Sequence, residues 1–338
     1  MSEALAERPA GNGATDLVAS LSREIDAALE ALVPADKPVS LIDFPVYSNV
    51  GDSAIWVGTL AALKRRGVRL AYVCSFKTWS PRKLSSLIDD GTILLSGGGN
   101  FGDRYQPHQD LREDVIRSFP EHRIVQLPQS LWFQAEDALE RARRIVCGHR
   151  RLTLLIRDRA SLAFARREFA GTPSLLCPDM ALGLGAIPGA GPSSNRVVWL
   201  SRTDDETVAP APADVPPGVE RLDWAGPTPG KLGDWLHRAH VRLRAQPDVM
   251  RWLFNPIARA RLRRGIAMLA GARCVVTDRL HGHILCLMLG LPHVVLPNRN
   301  GKVRAFYEAW TRSSPLAHWC DTEPEALRLA LSMRDAAR

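Results

Sequence analysis

Cysteine is scarce in this chain. There are six in 338 residues, at positions 74, 147, 177, 274, 286 and 320, and no two form a C-x-x-C pair. That excludes a thiolate zinc site and a disulfide framework, and suits a reducing, cytoplasmic setting. No apolar run approaches the roughly 18 residues that a membrane-spanning helix needs. The opening stretch Met1–Asp16 is polar and has no apolar core, so no secretory leader is expected. Aromatic residues make up 7% and do not interleave with the basic ones. With no RNP or zinc-finger motif either, nucleic acid is not an expected partner. There is no G-x-S-x-G elbow, which argues against a serine hydrolase. His281 and His283 are spaced unlike H-E-x-x-H, and no Cys/His cluster supports them, so no metal is expected.

What is present fits an ordinary folded protein, with 46% hydrophobic and 24% charged residues. Its length suggests two domains. The formal net charge of +8 favours an anionic partner such as a phosphate ester or an acidic membrane face.

Residues 1–38 read as an extension: a disordered Gly/Ala-rich start, then a helix over Leu17–Leu32. From Val39 short apolar runs recur at Val39–Phe44, Val68–Val73, Thr92–Ser96, Ile124–Leu127, Thr153–Ile156 and Ser174–Cys177. Amphipathic stretches such as Asp52–Arg65, Glu136–Cys147 and Arg159–Phe169 lie between them. This alternation predicts βαβ units on a parallel sheet. Gly183–Asn195, rich in Gly, Pro and Ser, reads as linker. A second α/β pattern follows, with strands at Val197–Leu200, Cys274–Val276 and His293–Leu296. A helix is expected over His281–Leu289, ended by Gly290, and another over Pro324–Met333. The predicted fold is therefore α/β, with two Rossmann-like domains (39–185 and 196–338), a linker at 186–195 and a ligand cleft between the halves.

Five segments fall where strands end. In the first, Asn49-Val50-Gly51-Asp52-Ser53, Asp52 or Ser53 is expected to cap the next helix. Asn49 and Gly51 would offer backbone N–H groups to an anion or a hydroxyl. In the second, Gly97-Gly98-Gly99-Asn100-Phe101-Gly102-Asp103, the glycines permit close approach of a backbone or a ligand. No Lys-Ser/Thr follows, so it is not a Walker loop, and nucleotide readings lose support. Leu127-Pro128-Gln129-Ser130 would shape a wall. In Ser201-Arg202-Thr203-Asp204-Asp205-Glu206, Arg202 offers a fork for phosphate or carboxylate. In Thr277-Asp278-Arg279-Leu280-His281-Gly282-His283, Thr277 or Asp278 would cap a helix whose first turn carries Arg279 and His281. That is a prepared anion site beside a histidine able to titrate near neutrality. His283 would pack or orient.

Taken in order, Asn49-Val50-Gly51-Asp52, Gly97–Asp103, Cys177-Pro178-Asp179 and Thr277–Gly282 resemble the polysaccharide pyruvyl transferase family, over about residues 40–312. The resemblance implies two Rossmann-like domains similar to B-type glycosyltransferases. It implies phosphoenolpyruvate as co-substrate, no resident cofactor, and a sugar or lipid-linked oligosaccharide acceptor converted to a pyruvate ketal in exopolysaccharide or cell-surface glycan biosynthesis. It places donor binding on Arg279, Leu280, Arg202 and Asp103, and catalysis on His281. Asn49, Gly51, Asp52, Gly97, Gly98, Gly99 and Asn100 become substrate-binding candidates. Arg238–Arg264, with Trp252, Leu253 and Phe254, is a candidate for peripheral contact with an anionic membrane. Two rivals share the fold: a glycosyltransferase with a nucleotide-sugar donor, and a non-catalytic glycan- or phosphate-binding protein.

Overall fold

Short runs rich in Val, Ile and Leu, such as VSLI, TILL and VVWL, are covered on both faces and pair in parallel, as such composition requires. The computed structural model describes residues 11–189, 191–203, 207–208, 215–224 and 247–336. Two compact units result. One comprises Ser22–Leu184 with Asp223–Met268, and the other Met1–Leu21, Gly185–Leu222 and Leu269–Arg338.

The first unit holds β1 (Val39–Ile42), α2 (Val50–Arg65), β2 (Leu70–Cys74), α3 (Pro81–Ile88), β3 (Thr92–Leu95), β4 (Gly98–Gly102), α4 (Gln106–Ser118), β5 (Arg123–Trp132), α5 (Glu136–Gly148), β6 (Leu152–Ile156), α6 (Arg159–Glu168) and β7 (Ser174–Leu176). They follow α1 (Gly11–Leu32), in which the boundary between the units falls. The sheet order is β2-β1-β3-β5-β6-β7. Strand β3 pairs with the first half of β5, from Arg123 to Gln126, and β4 with the second half, from Gln129 to Trp132.

The second unit holds β8 (Val197–Leu200), β9 (Val219–Leu222), β10 (Cys274–Thr277), α8 (Leu280–Leu289), β11 (His293–Val295), α9 (Lys302–Phe306), β12 (Ala317–Trp319) and α10 (Glu323–Asp335), in sheet order β12-β11-β10-β8-β9. Both sheets are parallel throughout, and each is doubly wound, with its first strand between its second and third. In such sheets ligands bind beyond the carboxyl ends at the point where the order reverses. Those points are β1/β3 in one unit and β8/β10 in the other.

The unit boundaries differ from those read in the sequence. Helix α7 (Pro247–Leu269) follows β9 in the chain, yet nearly all of it belongs to the first unit. There Phe254 stacks on Phe44 at 3.9 Å, both edge-on to Trp56, whose indole N–H donates to Asn255 Oδ1 at 3.0 Å. Each aromatic pair adds about 0.5–1.5 kcal/mol beyond its buried area. Phe254 therefore serves the core and not a membrane face, whereas Trp252 is 73% exposed. Of the basic stretch, 238–246 lie outside the described residues, as do 209–214 of the Pro-rich loop and 1–10 of the extension. Gly183 is not linker either. It lies in a short 3-10 helix, Met180–Leu184, where a Cβ would come 2.7 Å from the Gly58 carbonyl oxygen. Among the described residues, no helix is long and apolar enough to cross a membrane.

Candidate functional site

At the β1/β3 switch point the chain leaves β1 through Asp43, which is buried and has φ 78°. Outside glycine this backbone region is uncommon, and it clusters at functional sites. The carboxylate meets His108 Nδ1 at 2.7 Å and accepts from Asn100 Nδ2 at 3.3 Å. Asn100 is fixed in turn, because its Oδ1 accepts from Arg112 Nη2 and from Gln129 Nε2, each at 2.8 Å. The Arg112 guanidinium lies 4.4 Å from the Phe101 ring centroid and donates to Gln126 and Gln109. Burial lowers its pKa to about 10, which leaves it charged at neutral pH. This network ties β1, β4, β5 and α4 together at one sheet edge. Sequence reasoning missed Asp43, His108 and Arg112. The available signal was a polar residue immediately after the first apolar strand.

The glycine segment is a strand here, not a loop. A Cβ on Gly97 would lie 2.7 Å from the Pro128 carbonyl oxygen, on Gly99 2.9 Å from Arg157 Nη2, and on Gly102 1.6 Å from the Trp132 carbonyl oxygen. Close packing alone therefore accounts for these glycines. Gly97, Gly99 and Gly102 do have the spacing of a dinucleotide fingerprint, but Gly98–Gly102 is itself strand β4 and not a strand-to-helix turn, and the 3-10 turn Asp103–Tyr105 that Gly102 opens carries the acidic Asp103 where a pyrophosphate would sit. Asp103 Oδ2 accepts from the backbone N–H groups of Gln134 and Ala135, at 2.8 and 2.6 Å, and so anchors the start of α5. Arg157 and Asp179 form a fully buried pair at 2.7 Å, with Arg157 Nε donating to Ser130.

The cap of α2 is Asn49, not Asp52 or Ser53. Its Oδ1 accepts from the N–H groups of Gly51 and Asp52, at 2.8 and 3.4 Å. The Gly51 N–H is thus occupied. Gly51 itself is buried in the helix, and the half-buried Asp52 lies in its first turn. The Asp52 carboxylate faces the Tyr47 hydroxyl and lies near Gly98, where a Cβ would be 3.6 Å from Oδ1. Burial of the hydroxyl, then Asp52 and Asp43, pushes the Tyr47 pKa well above its usual value. Arg261 on α7 closes this corner by donating to the Pro45 carbonyl at 2.8 Å.

At the β8/β10 switch point, β8 is followed by Ser201 and Arg202, and β10 by Asp278 and Arg279. The Arg202 backbone N–H donates to Asp278 Oδ1 at 3.1 Å, which links the two strand ends. Burial raises the Asp278 pKa to about 6, against the opposing pull of Arg279 and Arg202. The N-cap of α8 is Arg279, with no side-chain cap bond. Thr277 acts one step earlier: its Oγ1 accepts from the Arg279 N–H at 3.1 Å and donates to the Leu200 carbonyl at 3.0 Å. His281 therefore stands in the first turn, half-buried, beside the buried Leu280 and the nearly buried Arg279. Gly282 follows because a Cβ there would lie 2.6 Å from Thr277 Oγ1 and 2.9 Å from Leu200 Cδ2. The positive end of a helix and two arginines at one switch point suit an anion.

His283 is structural. Its Nδ1 lies 2.7 Å from His293 Nε2 and its Nε2 2.7 Å from Thr311 Oγ1, while His293 Nδ1 reaches the Leu291 carbonyl at 2.8 Å. Burial holds His283 well below the usual histidine range and His293 at about 4, so both are neutral. Neutrality sets a one-way chain: Thr311 donates to His283, His283 to His293, and His293 to Leu291.

The family description that matches the chain, over residues 49–300, is polysaccharide pyruvyl transferase. Pyruvyl transferase 1 of Schizosaccharomyces pombe is 34% identical over 314 residues, covering 89% of this chain and 77% of its own. EpsO of Bacillus subtilis is 31% identical over 305 residues, covering 88% and 92%. Among solved structures, an uncharacterized protein from Klebsiella pneumoniae superposes with a TM-score of 0.60 at 16% identity, over 89% of this chain and 99% of that one. That likeness bears on the fold alone.

Proposed function

The chain belongs to the polysaccharide pyruvyl transferase family, and on that premise we propose that it transfers pyruvate from phosphoenolpyruvate to two hydroxyls of a sugar, forming a ketal. The observation that supports the proposal is the second switch point, where Arg202 follows β8, its backbone N–H held by Asp278, and Arg279 and His281 stand at the start of α8. Phosphoenolpyruvate has a phosphate and a carboxylate, and two arginine forks with a helix N-terminus match both. His281 acts as general acid and protonates the methylene carbon of the donor. One sugar hydroxyl then adds to the resulting cationic carbon and gives up its proton, which leaves with inorganic phosphate, and the second hydroxyl closes the ketal, its proton restoring His281. General acid–base catalysis of this kind contributes about 10²–10⁴-fold.

The first switch point serves the acceptor in this proposal. The Asp43 carboxylate holds the proton of His108 on Nδ1, which leaves Nε2 as the basic nitrogen for a sugar hydroxyl. Asp103 is used by the start of α5, so its part is support of that wall and not donor binding. The expected cleft between the halves, a cytoplasmic setting, a role in exopolysaccharide or cell-surface glycan synthesis, and a lipid-linked acceptor met at an anionic membrane face all belong to this proposal.

The test is phosphate release from phosphoenolpyruvate with a panel of sugar acceptors, with mass spectrometry of the acceptor. Acceptor-dependent release, with a gain of pyruvate less water, is the expected outcome. Absence of phosphoenolpyruvate binding in calorimetry overturns the proposal and favours a nucleotide-sugar donor.

A further inference from the structure

Large exposed hydrophobic side chains are normal when scattered singly. Here three aromatic ones gather at one edge of the first sheet. Tyr47, 40% exposed, follows β1; Tyr105, 39% exposed, follows β4; Trp132, 40% exposed, ends β5. In register, Trp132 sits opposite Gly102, three residues before Tyr105. The Tyr47 ring stands edge-on to His108 at 5.8 Å. Its hydroxyl points inward to Asp52, and the Tyr105 phenol is close enough to act on its ionisation. Its ring is thus anchored at the hydroxyl while the side chain stays exposed. Arg104 lies 5.7 Å from the Tyr105 ring centroid.

We infer that Tyr47, Tyr105 and Trp132 form a stacking subsite for the pyranose ring of a neutral sugar, set around the Asp43–His108 pair. The inference deepens the proposed function, on which it rests, by placing acceptor recognition on the first sheet. A pyranose has an apolar face of axial C–H bonds and an equatorial rim of hydroxyls. Aromatic rings cover the face, and a carboxylate–imidazole pair takes the rim. Tyr and Trp supply rigid amphipathic surface with few rotors to freeze, which suits a weakly hydrophobic ligand. Trp132 stands on the end of β5, Tyr105 in the 3-10 turn after β4, and Tyr47 in the loop between β1 and α2.

The test uses the full chain and an array of neutral oligosaccharides. Wild type, Tyr105→Ala/Trp132→Ala and Tyr105→Phe/Trp132→Phe are compared, each also titrated with phosphoenolpyruvate by calorimetry. Wild type is expected to bind a subset of hexopyranose glycans. The alanine pair is expected to lose at least tenfold of that binding, and the phenylalanine pair to keep it within about threefold. Phosphoenolpyruvate affinity stays within twofold throughout. No glycan bound by wild type, equal binding by the alanine pair, or loss in both pairs overturns the inference. Failure of the transferase proposal shows separately, as absent phosphoenolpyruvate binding whatever the array reports.

Discussion

Asp43 and His108 meet at 2.7 Å with the aspartate backbone held at φ 78°, so one strained residue both turns the chain out of β1 and orients an imidazole on α4. An Asn at 43 tolerates the same backbone region and keeps the shape, but cannot hold the imidazole proton through charge. Asp43→Asn is expected to lower turnover about 10²-fold with phosphoenolpyruvate affinity unchanged, as read by steady-state kinetics beside calorimetry. An unchanged rate removes His108 from the acceptor chemistry.

His281 is the expected proton donor. His281→Ala should cost about 10²–10⁴-fold in phosphate release while leaving phosphoenolpyruvate binding largely intact, since Arg279 and Arg202 remain. A near-normal rate in this variant assigns the proton transfer elsewhere.

Asp278 should make stability fall with rising pH. Its folded pKa of about 6 lies above the unfolded value near 3.8, so between those values the folded chain binds more protons. Burial therefore costs stability as the group ionises, and the full cost is present above pH 6. Asp278→Asn keeps an oxygen for the Arg202 N–H and removes the charge. It is expected to be more stable than wild type at pH 8, by on the order of 2–3 kcal/mol, and equal to it near pH 4. Thermal unfolding across that range measures the difference, and a gap that does not change with pH contradicts it.

Gly102→Ala and Gly282→Ala separate two kinds of damage. At 102 the added Cβ would meet the Trp132 backbone and φ is +137°, so folding itself should fail or yield be lost. At 282 the nearest obstacles are side-chain atoms, the Thr277 hydroxyl and the end of Leu200, and not backbone. There a loss of about 1–3 kcal/mol in stability is expected, with a larger fall in activity because the turn carrying His281 moves. Denaturant titration and phosphate release together distinguish the two.

Much of this fold was legible in apolar runs. Strands β1, β3, β6, β8 and β10 and helices α2, α5, α6 and α8 lie within two residues of their expected positions, because continuous Val/Ile/Leu runs and helical spacing are strong local signals. Strand β4 was not legible: glycine lacks the side chains that mark a strand, and its pairing is decided by β5. His108 and Arg112 sit four apart on a helix of mostly polar residues and look like a solvated face, although both are buried. The arginines of α7 masked its buried apolar residues Phe254, Ala258 and Leu262. At the second switch point the sequence named Arg202, Arg279 and His281, and offered Thr277 or Asp278 as the cap, whereas the cap position is Arg279 with its N–H held by Thr277. Neighbouring polar side chains compete for that task, and only geometry decides it.

The allocation of α7 to the first unit has an evolutionary consequence. The chain passes between the units at 21/22, 184/185, 222/223 and 268/269. A single genetic crossover in the glycine-rich segment after Leu184 would leave Phe44 and Trp56 facing a helix inherited from the other parent. Exchange of one half between relatives therefore works only as an insertion with two further breakpoints, carrying 223–268 along with 22–184. Residues 223–268 and 22–184 are bound to be inherited together, because one core is built from both stretches of chain.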